Sequence, residues 1–310
     1  MSPLVQVLLT IITASTPLLI AAIGELVTER SGVLNLGVEG MMVMGAVAGF
    51  GAAYETGSPL IGILASIAAG MAMSAIFALM TLKFVSNQVA TGLALTLLGL
   101  GLSGLIGEPF VGQPGLKLAR MSLPSMNNIP FVGQYIGPIL FGQDVLVYLS
   151  IALTVTVSYV LFRTRTGLII RAVGDSHNSA HALGVSVIGV RTVCVLFGGA
   201  CSGLAGGYLS LAYTPQWIEN MTAGRGWIAL ALVVFSSWQP YRLIIGAYLF
   251  GAVGVLGYVA QAVGFGIPSQ FLSSLPYIVT VLALVIISKR TLSSRGQSPA
   301  CLGQAFVPDR

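Results

Sequence analysis

The stretch VLVYLSIALTVTVSYVLF (145–162) carries no charge over its whole length, and Arg163 and Arg165 follow it at once. A bilayer core of about 30 Å needs roughly 20 mostly apolar residues per helix, and arginines gather at the cytoplasmic end of such helices. The stretch therefore reads as a membrane-spanning helix that ends inside. Working outward from it, eight further segments repeat the pattern, at about 4–27, 33–53, 60–80, 88–107, 193–213, 226–239, 243–262 and 275–288. The segment 226–239 is short. It is either a half-helix or one arm of a re-entrant element with 214–225. The expected fold is all-α, a polytopic membrane helical bundle of about 8–9 transmembrane helices.

Composition supports lipid as the solvent. Of 310 residues, 55% are hydrophobic and 7% are charged, against about 25% charged in soluble domains. The formal net charge of +5 would suggest nucleic acid in a soluble protein; here its placement along the chain is what matters. With the N-terminus outside and nine crossings, eleven of the fourteen basic residues fall in cytoplasmic loops, and Lys117, Arg120 and Arg225 stay outside. The mirror topology fails the positive-inside rule, so the C-terminus is expected in the cytoplasm. Cys194, Cys201 and Cys301 fit no disulfide framework or ligand spacing. No basic leader precedes the first apolar segment, so that segment is expected to remain as a helix.

One membrane domain, 1–290, is expected, with a polar loop at 163–192 and a mobile tail at 291–310. The outer loop 108–144 holds Pro109, Pro114, Pro124, Pro130 and Pro138 and reads as turn-rich. Within the inner loop a short amphipathic helix is expected from about 175 to 184, with Asp175 or Ser176 as N-cap and Gly184 as its stop.

Several chemistries are excluded. No Gly-Lys pair occurs, so there is no P-loop and no ATP hydrolysis by this chain. His177 and His181, the two histidines, have no carboxylate or thiol partner at ligand spacing, so neither metal nor cofactor is expected. Ser103 in GLSG (101–104) and His181 resemble a Ser/His dyad, but the topology puts them on opposite sides of the bilayer. Gly199, Gly203 and Gly207, like Gly45 and Gly49, form stripes that let helices approach closely.

Polar residues at membrane depth are the candidates for a solute path. Asn35 and Glu39 stand in SGVLNLGVEGMM (31–42), and Asn87, Gln88 and Thr91 open the fourth segment. Tyr213, Trp217 and Asn220 precede the short segment and offer aromatic and amide surface to a flat polar solute. For each the alternative is structural: a broken helix held in place for Glu39, an interfacial helix start for Asn87, an interface anchor for Tyr213 and Trp217.

Three stretches together resemble the membrane subunits of ABC importers for branched-chain amino acids, simple sugars and nucleosides. They are ERSGVLNLGVEGMM (29–42), RAVGD (171–175) with Ala180, Ala182 and Gly184, and NMTAGRGWIALA (220–231). The guanosine-type nucleoside branch is the most similar. This resemblance implies a permease subunit of a bacterial plasma (inner) membrane importer, partnered by an ABC ATPase, a second and different permease, and an extracytoplasmic solute-binding protein. It also implies that Arg171, Gly174, Asp175, Ala180, Ala182 and Gly184 belong to a coupling helix that docks on the ATPase. Here His177, Asn178 and Ser179 depart from the family pattern. The amides, hydroxyls and aromatics of the path suit a neutral polar solute such as a nucleoside; a sugar or branched-chain amino acid is the alternative. A stand-alone secondary transporter would need ionisable relays at mid-helix, which the segments almost entirely lack.

Overall fold

The computed structural model describes residues 3–116, 118, 142–262 and 298–308, with isolated positions between 268 and 285. Ten α-helices lie among the described residues: α1 (Pro3–Arg30), α2 (Val38–Thr56), α3 (Pro59–Ala78), α4 (Gln88–Gly107), α5 (Val145–Arg163), α6 (Arg165–Asp175), α7 (His177–Ala182), α8 (Val187–Tyr208), α9 (Arg225–Phe235) and α10 (Pro240–Ala262). Single π-helical turns, Leu79–Lys83 and Leu209–Tyr213, extend α3 and α8. Among the described residues six helices are long and apolar enough to cross a membrane: α1, α3, α4, α5, α8 and α10. More than half of the expected segment at 275–288 falls outside the described residues, as does most of the outer loop 108–144.

Burial explains why α2 stands apart from those six. It is the central helix, with Val38–Val43 and most of the next three turns buried. Lipid contact is left to its neighbours, where Leu97, Leu105, Val155 and Ile245 are each more than half exposed. Such surfaces would aggregate in water. α2 carries Glu39 where protein encloses the helix and Glu55 at its exposed last turn, and both lower its hydropathy without harm.

Glycine sets how tightly α2, α3 and α8 pack. A Cβ on Gly203 would fall on the Ser66 carbonyl oxygen of α3, and one on Gly45 would fall on the Gly203 backbone. Gly70 meets Gly199 in the same way. In lipid there is little hydrophobic force between helices, so close backbone approach supplies the attraction. Gly203→Val is expected to force α8 away from both neighbours and cost about 3 kcal/mol, read as a lower thermal midpoint of the detergent-solubilised protein. An unchanged midpoint would show that the contact is slack.

Two spans are discontinuous. After α1, residues 33–37 are non-helical and run along α4. The Leu34 N–H donates to Gln88 Oε1 (2.8 Å), and the Thr96 hydroxyl donates to the Leu36 carbonyl (3.1 Å). Gly40 then packs on Gly99, eleven residues into α4, which is about 16 Å from the start of that helix. α2 therefore begins deep in the bundle. The second break is at 214–224, a non-helical descent from the end of α8 to α9. With 11 residues, α9 is about 16 Å long, roughly half a bilayer core. The short segment is a half-helix.

Candidate functional site

The two breaks meet at one side chain. Glu39 Oε1 accepts from the Thr222 hydroxyl (2.5 Å) and the Gly224 N–H (2.8 Å), and Oε2 accepts from the Gly226 N–H (2.6 Å). The first N–H groups of a helix have no partner within it, and the positive end of the helix dipole favours an anion. Glu39, itself buried, satisfies both requirements for α9. The chain pays for the geometry with left-handed backbone at Asn220 (φ 55°), Ala223 (φ 45°) and Gly224 (φ 83°). Only at Gly224 is that conformation free of strain.

Directly after this junction, Arg225 turns back over the same loop. Its Nη1 donates to the carbonyls of Met221 (2.9 Å) and Thr222 (3.2 Å), and its guanidinium lies 5.8 Å from the centre of the Tyr213 ring. Arg225 and Tyr213 line a cavity of about 350 Å³ between α1, α9 and α10, with Tyr258, Gln261 and the glycines of α10 opposite. Two tyrosines, one amide and one guanidinium thus line the same cavity.

The other candidate path residues lie elsewhere. Asn35 is fully buried. Its Oδ1 accepts from the Gly37 N–H (3.0 Å), and its own N–H donates to Glu25 (3.2 Å), so it shapes the turn into α2. Asn87 caps α4, accepting from the Ala90 N–H (3.0 Å). Gln88 is buried and holds the non-helical segment 33–37 through the Leu34 N–H. Thr91 pairs with the Ser86 hydroxyl (2.8 Å). Trp217 is 1% exposed, packed with Phe50 and Val47, and has no acceptor for its indole N–H among the described residues. Asn220 is exposed in the strained loop. Of the eight, the structure brings Tyr213 alone to the chamber wall. Its partners there, Tyr258 and Gln261, were not legible as candidates, because they sit at the end of an otherwise apolar helix.

At the far end of the bundle the 163–192 loop folds into two helices. Thr164 caps α6, and Ser176 caps α7, with its hydroxyl facing the Ser179 N–H (3.4 Å). Gly184 ends the turn in the left-handed region (φ 82°). Of the two expected caps, Ser176 is the one used. Arg171 stacks 5.2 Å from the Phe162 ring centre, Gly174 packs on the Arg30 carbonyl, and Asp175 is exposed. Ala180 is buried, whereas Asn178, Ser179, His181, Ala182 and Leu183 face outward. Burial and the neighbouring Arg191 guanidinium push the His177 imidazole below its ordinary value, so its Nδ1 is free to accept from Arg191 Nη2 (3.4 Å).

Sequence reasoning missed two features. Glu25 and Glu29 are both buried one turn apart on α1, and Glu29 accepts from the Trp238 indole N–H (2.6 Å). The tail, expected to be mobile, packs over 298–308 against α6 and α7 (Phe306 is 8% exposed). No apolar run announced this, because one phenylalanine and a set of backbone hydrogen bonds do it. Ser103 donates to the Leu100 carbonyl of its own helix (2.9 Å), and His181 packs on Phe306 at the other end, so no dyad forms. Among the described residues no group of three His, Cys, Asp or Glu side chains could hold a metal ion.

Residues 7–288 match the family described as the branched-chain amino acid transport system / permease component. The chain is 37% identical to the "Putative glucose ABC transporter permease protein TsgC13" of Haloferax volcanii, over 95% of each chain. It is 31% identical to the guanosine ABC transporter permease protein NupQ of Bacillus subtilis, over 91% of this chain and 92% of that one. The nucleoside ABC transporter permease protein NupC of Lactococcus lactis is 30% identical over 91% of this chain and 92% of its own length.

Proposed function

Because the chain belongs to the branched-chain amino acid transport system permease family, we propose that it forms half of an importer's translocation path for a neutral polar solute, a nucleoside first. It is a membrane permease subunit and not an enzyme, and ATP is hydrolysed by a separate ABC ATPase. The observation that carries the solute class is the chamber of about 350 Å³ lined by Tyr213, Tyr258, Gln261 and Arg225. Aromatic faces stack on a nucleobase, the amide can read its edge, and among the described residues the wall has no carboxylate that would select a cation. Glucose is the second reading, favoured by the 37% identity to a relative named for it.

In this mechanism α6 and α7 face the cytoplasm of a bacterial cell at its inner membrane, with the N-terminus outside. ATP-driven closure of the ATPase pushes on the exposed face of α7. The half-helix α9, pinned by Glu39, then moves with α2 as one body beside the chamber. The second half of the path comes from a different permease, and a solute-binding protein delivers from outside. Uptake into proteoliposomes holding all four components tests the reading. Guanosine is expected to be taken up and not displaced by excess glucose; the reverse result would establish the sugar reading. Tyr213→Leu should cut guanosine transport about tenfold, equivalent to ~1.4 kcal/mol, while the ATPase stays bound.

A further inference from the structure

We infer that the C-terminal tail, residues 298–308, is an intramolecular clasp that locks α7 to the membrane helices, so that force applied to α7 reaches α1 and α8. The inference rests on the permease reading above, and its observations are separate from those of the chamber.

A six-residue helix has almost no stability of its own, so α7 must be held by what it packs on. The tail bonds to the end of α6 and to the residue just past α1, and it packs on α7 itself through Phe306. The Cys301 N–H donates to the Gly174 carbonyl (2.9 Å), and the Gly303 N–H donates to the Gly32 carbonyl (3.1 Å). The Gly174 acceptor is one of the helix-end carbonyls of α6 that lack an intrahelical donor, and Gly32 lies just past the end of α1. Phe306 closes the hollow beneath α7. It is packed with Val173, Ala180 and Val187, and its ring meets the edges of His177 and His181 at 5.3 Å each.

Arg191 ties the assembly together. Its guanidinium is fully buried. It donates from Nε to the Ser31 carbonyl (3.1 Å), from Nη1 to the Gln304 carbonyl (3.0 Å) and from Nη2 to His177 Nδ1 (3.4 Å). One rigid planar group on α8 thus holds the end of α1, the tail and the first turn of α7. Asn178, Ser179 and Ala182 stay exposed, so the clasp occupies the inner face and the His181 edge and leaves the rest of the docking face free. That geometry suits a strut and not a plug.

The test uses the complete importer in proteoliposomes, with two variants: deletion of residues 298–310, and Phe306→Ala. Both are expected to keep the ATPase bound in a pull-down and to keep basal ATP hydrolysis. Both should lose about tenfold of the hydrolysis stimulated by loaded binding protein, within the usual range of coupling between sites, and transport should fall in step. Stimulated hydrolysis at the wild-type level in Phe306→Ala would overturn the clasp, whether or not the deletion assembles. Higher basal hydrolysis or faster transport in either variant would also overturn it, since that marks an inhibitory plug. If the wild-type complex shows no ATP-dependent uptake of any solute, the permease reading fails first, and the two failures are told apart.

Discussion

Glu39→Gln is expected to abolish transport and to lower the thermal midpoint of the purified subunit, although it changes one oxygen to an amide nitrogen. The carboxylate receives three donors: the Thr222 hydroxyl and the N–H groups of Gly224 and Gly226. An amide can satisfy donors with its oxygen only, so its NH2 must point at an N–H or at a hydroxyl. At least one buried donor is left unpaired, and the anion that balanced the α9 helix end is gone. Hydrogen bonds to charged groups contribute ~1.5–3 kcal/mol each and an unpaired buried donor costs a similar amount, so the loss is about 3 kcal/mol. Glu39 bonds to Thr222 and Gly224, on either side of the strained Ala223, so without those bonds the loop should relax away from α2. Limited proteolysis within 214–224, faster in the variant, reports that release. A Glu39→Gln subunit that transports normally and melts at the wild-type temperature would remove Glu39 from its central place.

The same junction shows how far the sequence can be read. Charge poverty, helix-length apolar runs and arginine placement announce the bundle, because lipid allows few ways to satisfy a backbone. Cap chemistry is local too, which is why Ser176 and Gly184 were legible around α7. What the sequence hides is meeting at a distance. Glu39 and Gly226 are 187 positions apart, and nothing in either stretch alone says that one carboxylate caps the other's helix. The two stretches resembled the same family separately; the structure shows them to be halves of one contact. Gln88 and Asn87 looked like path residues because polar groups at a helix start and in a pore have the same composition. Tyr258 and Gln261 were passed over because a lone pair of polar groups ending an apolar helix looks like any membrane interface.

Arg191 is the sharpest case of a residue whose sequence reading was too modest, since it counted only as one positive charge on the inner side. Arg191→Met keeps the apolar stem but removes every donor, leaving the carbonyls of Ser31 and Gln304 and the His177 Nδ1 without the guanidinium that joined them. With charge-assisted bonds at ~1.5–3 kcal/mol each and losses that do not add fully, the cost is on the order of 4 kcal/mol. Arg191→Lys should fall between the two, because an ammonium is a point donor and cannot span three acceptors held around a planar fork. The native thiols supply the readout. Cys194 and Cys201 are buried between helices, and burial shields them, whereas Cys301 is half-exposed in the tail, with its Sγ 3.5 Å from the Asp175 carbonyl oxygen. Maleimide labelling of Cys301 is therefore expected to quicken in the order Arg, Lys, Met at position 191, with the thermal midpoint falling in the same order. Equal labelling rates across the three would mean that the tail is seated without Arg191. The guanidinium would then serve the α1–α8 contact alone, and the path of force from α7 would have to run through α6.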